Sequence, residues 1–206
     1  MARFNGPKGK LVRRFGMNIF ENPKYDRLLD QKGHPPGQHG EKQQRRKVSE
    51  YGLQLIEKQK LKYSYGLLEK QFKNTFARAA RKKGVTGDNL IQLLELRLDN
   101  AVFRAGFGTT RTQARQLINH GHLKVNGRRV DIPSYQLKSG DVISVRDRDK
   151  SRALVARNVE SSLSFQRPEW LTTDVENLTA NVLHLPDGAQ VQNQINAQLI
   201  VELYSK

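Results

Sequence analysis

The strongest limit on the fold comes from a change of hydrophobic period within one short stretch. Thr110 and Gln113 form a capping box that opens a helix. Ala114, Leu117 and Ile118 give that helix a narrow apolar stripe, and Gly121 ends it. Leu123 and Val125 then alternate with polar neighbours, Asn126-Gly127 supplies a tight two-residue turn, and Arg129–Ile132 returns. Pro133-Ser134 and Ser139-Gly140-Asp141 are further turns, and Val142–Val145 is a short apolar strand. Upstream, Leu90, Leu94, Leu98 and Val102 mark one more helix, ending near Gly106-Phe107-Gly108. Residues 89–150 therefore read as two helices followed by short antiparallel strands, a compact α+β unit with an extension to about 175 allowed.

The flanking segments read differently. Residues 1–47 form a basic, irregular arm, because Gly6-Pro7, Asn22-Pro23 and His34-Pro35-Pro36-Gly37 break any helix running through them. Within 48–88, Ser49 caps a helix from about Glu50 to Tyr63. A second helix runs from about Leu67 to Lys83, with Leu68, Phe72, Phe76 and Ala80 on one face. Its other face holds Lys70, Lys73, Arg78, Arg81 and Lys82, and Gly84 stops it. Arg146–Asp149 is a charged bend and Ala153–Ser162 a helix. Trp170-Leu171 and Leu183–Leu185 fit short strands. In the tail, 176–206, Ile195, Leu199, Ile200 and Leu203 allow a terminal helix, although Leu-Ile-Val suits a strand equally.

Charge narrows the function. Lys and Arg number 36 against 20 Asp and Glu, a formal net charge of +16. Residues 1–84 carry +14 of it, 85–150 carry +4 and 151–206 carry −2. Such an excess opposes compaction unless a polyanion neutralises it, and nucleic acid is the usual polyanion. A membrane surface wants a basic amphipathic helix or a lipid anchor, and neither is found. No apolar run is long enough to cross a bilayer, and the N-terminus lacks the apolar core of a secretory signal. The absence of cysteine removes disulfides and cysteine-based zinc sites, and His34 with His39 falls short of the usual four ligands. No metal or other cofactor is expected. No Gly-x-Ser-x-Gly, His-Glu-x-x-His or phosphate-loop motif is found, so catalysis is not expected.

The candidate binding residues follow from spacing. Arg111 and Arg115 stand four apart and are read as one exposed basic face, turned away from Ala114, Leu117 and Ile118. That face begins at a helix N-terminus, whose free amides also attract phosphate. Thr110 and Gln113 add neutral donors, and His120, His122 and Lys124 extend the strip to the first strand. Recognition of folded RNA by shape needs a rigid bed of such donors.

These residues resemble a known family. Arg97-Leu98-Asp99-Asn100, Arg104-Ala105-Gly106-Phe107-Gly108, Thr110-Arg111, Ala114-Arg115-Gln116-Leu117-Ile118, Gly121-His122 and Val125-Asn126-Gly127 look like the small RNA-binding module named after the fourth small-subunit ribosomal protein. Gly6-Pro7-Lys8, Arg13-Arg14, Pro36-Gly37-Gln38-His39-Gly40, Ser49-Glu50-Tyr51-Gly52 and the ending Leu199–Lys206 resemble that ribosomal family itself. The resemblance implies a mostly helical first domain holding the inserted helix-hairpin domain, with the C-terminal tail packing back on the first. It implies a bacterial- or organelle-type protein that binds the 5′ domain of small-subunit rRNA early in assembly. Such a protein touches the third and fifth small-subunit proteins, lines the mRNA entrance and contributes to translational accuracy. It implies a ribosome in the cytoplasm, or in a plastid or mitochondrion. It carries Arg111, Arg115 and Lys124 over to the rRNA contact set. The basic residues Arg13, Arg14, Lys70, Lys73, Arg78 and Arg81 are expected to bind rRNA as well. It also places the loop of Lys42, Arg45, Arg46 and Lys47 close to where mRNA enters. Many members hold a zinc with four cysteines near the N-terminus, and this chain departs from them.

Two other readings compete. Arg97-Leu98-Asp99 also resembles the catalytic tripeptide of RNA pseudouridine synthases, but it lies in a Leu-striped helix where Asp99 is expected to pair or cap locally. A binding module outside the ribosome, such as a stress factor on free subunits, would not need the strongly basic first 84 residues.

Overall fold

The computed structural model describes residues 3–40, 48–162, 166–188 and 195–205. The loop of Lys42, Arg45, Arg46 and Lys47 lies outside the described residues. Two compact units divide the chain, Met1–Gly87 with Gln192–Lys206 and Asp88–Val191. The class is α+β, as expected.

The first unit contains α1 (Lys8–Phe15), α2 (Pro23–Gln31), α3 (Glu50–Ser64), α4 (Glu69–Ala80) and, at the chain's end, α9 (Ala197–Ser205). The arm is therefore not irregular throughout, and its prolines act opposite to expectation. Pro7 is the N-cap of α1 and Pro23 the first residue of α2, positions where a missing N–H costs nothing. Asn22 caps α2 by accepting from the Lys24 amide, and Ser49 caps α3 by accepting from Gly52. Helix α4 is shorter than its pattern, and it buries Phe72 and Ala79 rather than the full row Leu68, Phe72, Phe76 and Ala80. The tail is helical, and α9 packs on α3.

Glu69 ties three helices of this unit together. It accepts from Lys58 at 2.6 Å, from Lys62 at 2.9 Å and from the Tyr204 hydroxyl at 3.3 Å. Partial burial pushes its carboxyl up, but the bonds and charges of Lys58 and Lys62 outweigh that and hold it at about 2. Because this folded value lies below the ordinary 4.5, the carboxylate stabilises the unit above about pH 4.5. That contribution disappears as pH falls towards 2. The melting temperature of the wild type should drop across this window, and Glu69→Gln should flatten the drop while lowering the melting temperature at neutral pH.

The second unit is built on α5 (Thr86–Glu95), α6 (Leu98–Arg104), α7 (Arg111–Asn119), β1 (Leu123–Val125), β2 (Arg128–Arg129), β3 (Val142–Val145), α8 (Asp149–Ser161), β4 (Leu171–Asp174) and β5 (Thr179–Val182). The strands form one antiparallel sheet in the order β2-β1-β3-β5-β4. Asn126 and Gly127 turn the hairpin with φ of 50° and 77°, the positive values that a two-residue turn of this hand requires. Leu183–Leu185, read as a strand, lies beyond β5, which ends at Val182. Phe107, Leu98, Ile118, Leu123 and Ile143 are fully buried in a core shared by helices and sheet.

The helix expected from Leu90 through Val102 is two helices. Arg97 between them is extended, with ψ of 136°. Its neighbours' amides are claimed from outside the helix: Leu98 donates to the Tyr135 carbonyl at 2.9 Å and Asp99 to that of Pro133 at 3.0 Å. Leu137 donates back to Leu96, so the 133–137 segment splits the helix.

Candidate nucleic-acid interface

The break at Arg97 builds a buried charged brace. Asp99 Oδ1 and Oδ2 accept from Arg97 Nε and Nη2 at 3.1 and 2.9 Å, a bidentate pair. Asp99 Oδ2 also accepts from Arg115 Nη1 at 3.0 Å. Arg97, Asp99 and Arg115 are 6%, 5% and 4% exposed. Beside them Glu95 is fully buried and accepts from Asn100 at 2.9 Å and from Arg104 at 3.2 and 3.3 Å. Asn100 in turn accepts from Arg111 Nε at 2.9 Å, and the Arg111 guanidinium sits 4.5 Å from the Phe103 ring centre. Three arginines thus share two carboxylates, and a fourth, Arg111, is held through Asn100. Asp99 pairs locally, as expected of it.

This geometry corrects the expected exposed face of α7. At about 100° per residue, Ile118 lies only about 20° around the helix from Arg111 and about 60° from Arg115. Both arginines therefore flank the apolar stripe instead of opposing it. Arg115 is buried on Asp99, while Arg111 is half-buried along Phe103. The solvent side of α7 carries Gln116 and Asn119 instead.

The neutral donors are also committed. The Thr110 hydroxyl accepts from the Gln113 amide at 3.2 Å, which closes the cap. Gln113 reaches back to Thr109 rather than Thr110, accepting from its amide at 2.7 Å, and donates to Asn158 at 3.1 Å. Lys124 pairs with exposed Asp147 at 2.8 Å. In the first unit Arg13 donates to the carbonyls of His34 and Pro35 at 3.1 and 3.3 Å and so pins that turn, while Arg14 is exposed. Lys70, Lys73, Arg78 and Arg81 are all exposed on α4, and none has a hydrogen-bond or ion-pair partner among the described residues. Exposed Arg128 and Arg129 project from the hairpin.

Sequence reasoning missed Glu95, Asn100 and the central place of Asp99. The signal available was an Arg and an Asp two residues apart in an apolar row, which marks a helix break when both must be satisfied. The zinc that the resemblance associates with some members does not fit here. The chain has no cysteine, and no three His, Asp or Glu converge among the described residues.

Comparison with known proteins assigns the chain. A family model described as the ribosomal protein S4/S9 N-terminal domain matches residues 3–95, and one described as the S4 domain matches residues 96–143. The chain is 49% identical over 207 residues to small ribosomal subunit protein uS4 of Borrelia hermsii (strain HS1 / DAH), covering 100% of this chain and 99% of that one. It is 52% identical over 206 residues to the uS4 protein of Porphyromonas gingivalis (strain W83), covering 100% of both. With both domain models matched in order and half the residues shared end to end, the chain belongs to the uS4 family of small ribosomal subunit proteins.

Proposed function

We propose that this chain is a structural constituent of the small ribosomal subunit that binds the 5′ domain of its 16S-type rRNA and helps nucleate assembly. It is not an enzyme. The observation that carries the rRNA reading is the bare cationic row of α4: Lys70, Lys73, Arg78 and Arg81 stand exposed, with no partner among the described residues, on a helix whose other side is core. Cations left unpaired on a rigid element suit phosphates held at fixed spacing. Arg14, Arg111 and Lys124 join them as direct contacts. Arg115, Thr110 and Gln113 hold the elements of the second unit in place, and Arg13 holds the turn at residues 34 and 35 in the first. Small subunits purified through a high-salt wash should retain the protein stoichiometrically. Its release into the wash would point to an accessory factor instead.

The basic loop of Lys42, Arg45, Arg46 and Lys47 is assigned to the mRNA entrance, near the third and fifth small-subunit proteins, on family resemblance and charge. Four cations without an intervening apolar residue attract single-stranded phosphates without reading sequence. Neutralising all four should slow translation through a stable mRNA hairpin at unchanged subunit yield. A fall in subunit yield would make the loop an rRNA anchor.

A further inference from the structure

The charged bend after β3 and the turn after α7 border a half-open cavity of about 240 Å³. His120, His122, Arg146, Arg148 and Lys150 line it, with Gly121 and Ser151 at its wall. His122 is oriented by a 2.9 Å hydrogen bond between its Nδ1 and the buried Ser151 hydroxyl, and its ring stacks on His120 with centroids 6.1 Å apart. No side-chain partner is found for Arg146, Arg148 or Lys150 among the described residues. Nearby acids do little to offset them. Asp147 is exposed and engaged by Lys124 and Arg152, which leaves Asp149, in the first turn of α8, as the one carboxylate in the cavity wall among the described residues.

Burial, and after it the neighbouring charges of His120, Arg148 and Arg146, hold His122 below its ordinary value. We propose that this cavity receives one phosphodiester group of the RNA backbone, with Arg146, Arg148 and Lys150 as its charge and the His120–His122 pair as its hydrogen-bonding wall. The assignment rests on the reading that the chain binds rRNA, and it adds a contact on the side of the module away from α7's cap.

The test uses the full chain. In Arg146→Gln/Arg148→Gln/Lys150→Gln the slope of log affinity against log salt on small-subunit rRNA should shrink by about 0.7–0.9, one phosphate's share, with at least about a tenfold loss at moderate salt. Arg146→Lys/Arg148→Lys should keep both slope and affinity near wild type. Should the triple variant fold poorly, histidine ring resonances of the wild type decide: rRNA should shift His120 and His122, as inorganic phosphate does at higher concentration. A triple variant that folds and binds with the wild-type slope overturns the site while leaving rRNA binding intact. So do rings that respond to inorganic phosphate and not to rRNA, since the cavity is then a free-anion site. A wild type that fails to bind rRNA overturns both readings.

Discussion

Asp99→Ala should cost about 3–5 kcal/mol of folding stability, a large share of what a domain this size possesses. The carboxylate is 5% exposed and is the shared acceptor of two guanidiniums that are themselves 6% and 4% exposed. Removing it leaves two like charges buried side by side, and desolvated charge without a partner is among the most expensive defects a core can hold. Arg115→Ala should be destabilising too, towards the lower end of that range, because Arg97 keeps its bidentate hold on Asp99. Urea denaturation of both variants checks this. If Asp99→Ala unfolds at the wild-type midpoint and only loses RNA affinity, Asp99 faces the ligand and the brace has been misread. The point reverses the expectation from spacing alone, which makes Arg115 a surface contact whose loss barely touches stability.

The second large effect concerns α4. Replacing Lys70, Lys73, Arg78 and Arg81 with Gln should leave the melting temperature nearly unchanged, because these side chains are exposed and have no ion-pair partner among the described residues. Affinity for small-subunit rRNA should fall by at least about a hundredfold, since even one charge-assisted hydrogen bond is worth about 1.5–3 kcal/mol. Filter binding at fixed salt reads the loss directly. Undiminished affinity would make the row a solvated face and move the main contact elsewhere.

Local signals carried most of the architecture, and they failed where distant segments decide. Ser49, Thr110, Asn126-Gly127 and the period switch after Gly121 name caps and a turn whose geometry depends on a few neighbouring residues, and each is found where its pattern puts it. The split at Arg97 is set by carbonyls of residues 133 and 135, nearly forty positions away, which no helical period can reveal. The arm's two helices are short and contain few apolar residues, so their propensity is weak and their prolines look like breakers when they are starters. The site follows the same division. The exposed row on α4 is legible because opposite faces of one helix differ in composition. Burial of Arg115 is not, because an arginine near an apolar stripe is either a surface charge or half of an internal pair. The choice depends on whether an acid from another element, here Asp99 of α6, reaches it.

The rRNA grip proposed for this chain is built on phosphate contacts. It is tested most directly by measuring the affinity of the wild-type chain for the 5′ domain of small-subunit rRNA across a salt series, beside an unrelated folded RNA of equal length. With about 6–10 phosphates engaged, affinity should fall by about 10³–10⁵ between 50 and 200 mM salt, and the 5′ domain should be preferred at every concentration. A flat salt dependence, or equal binding of the two RNAs, would contradict it.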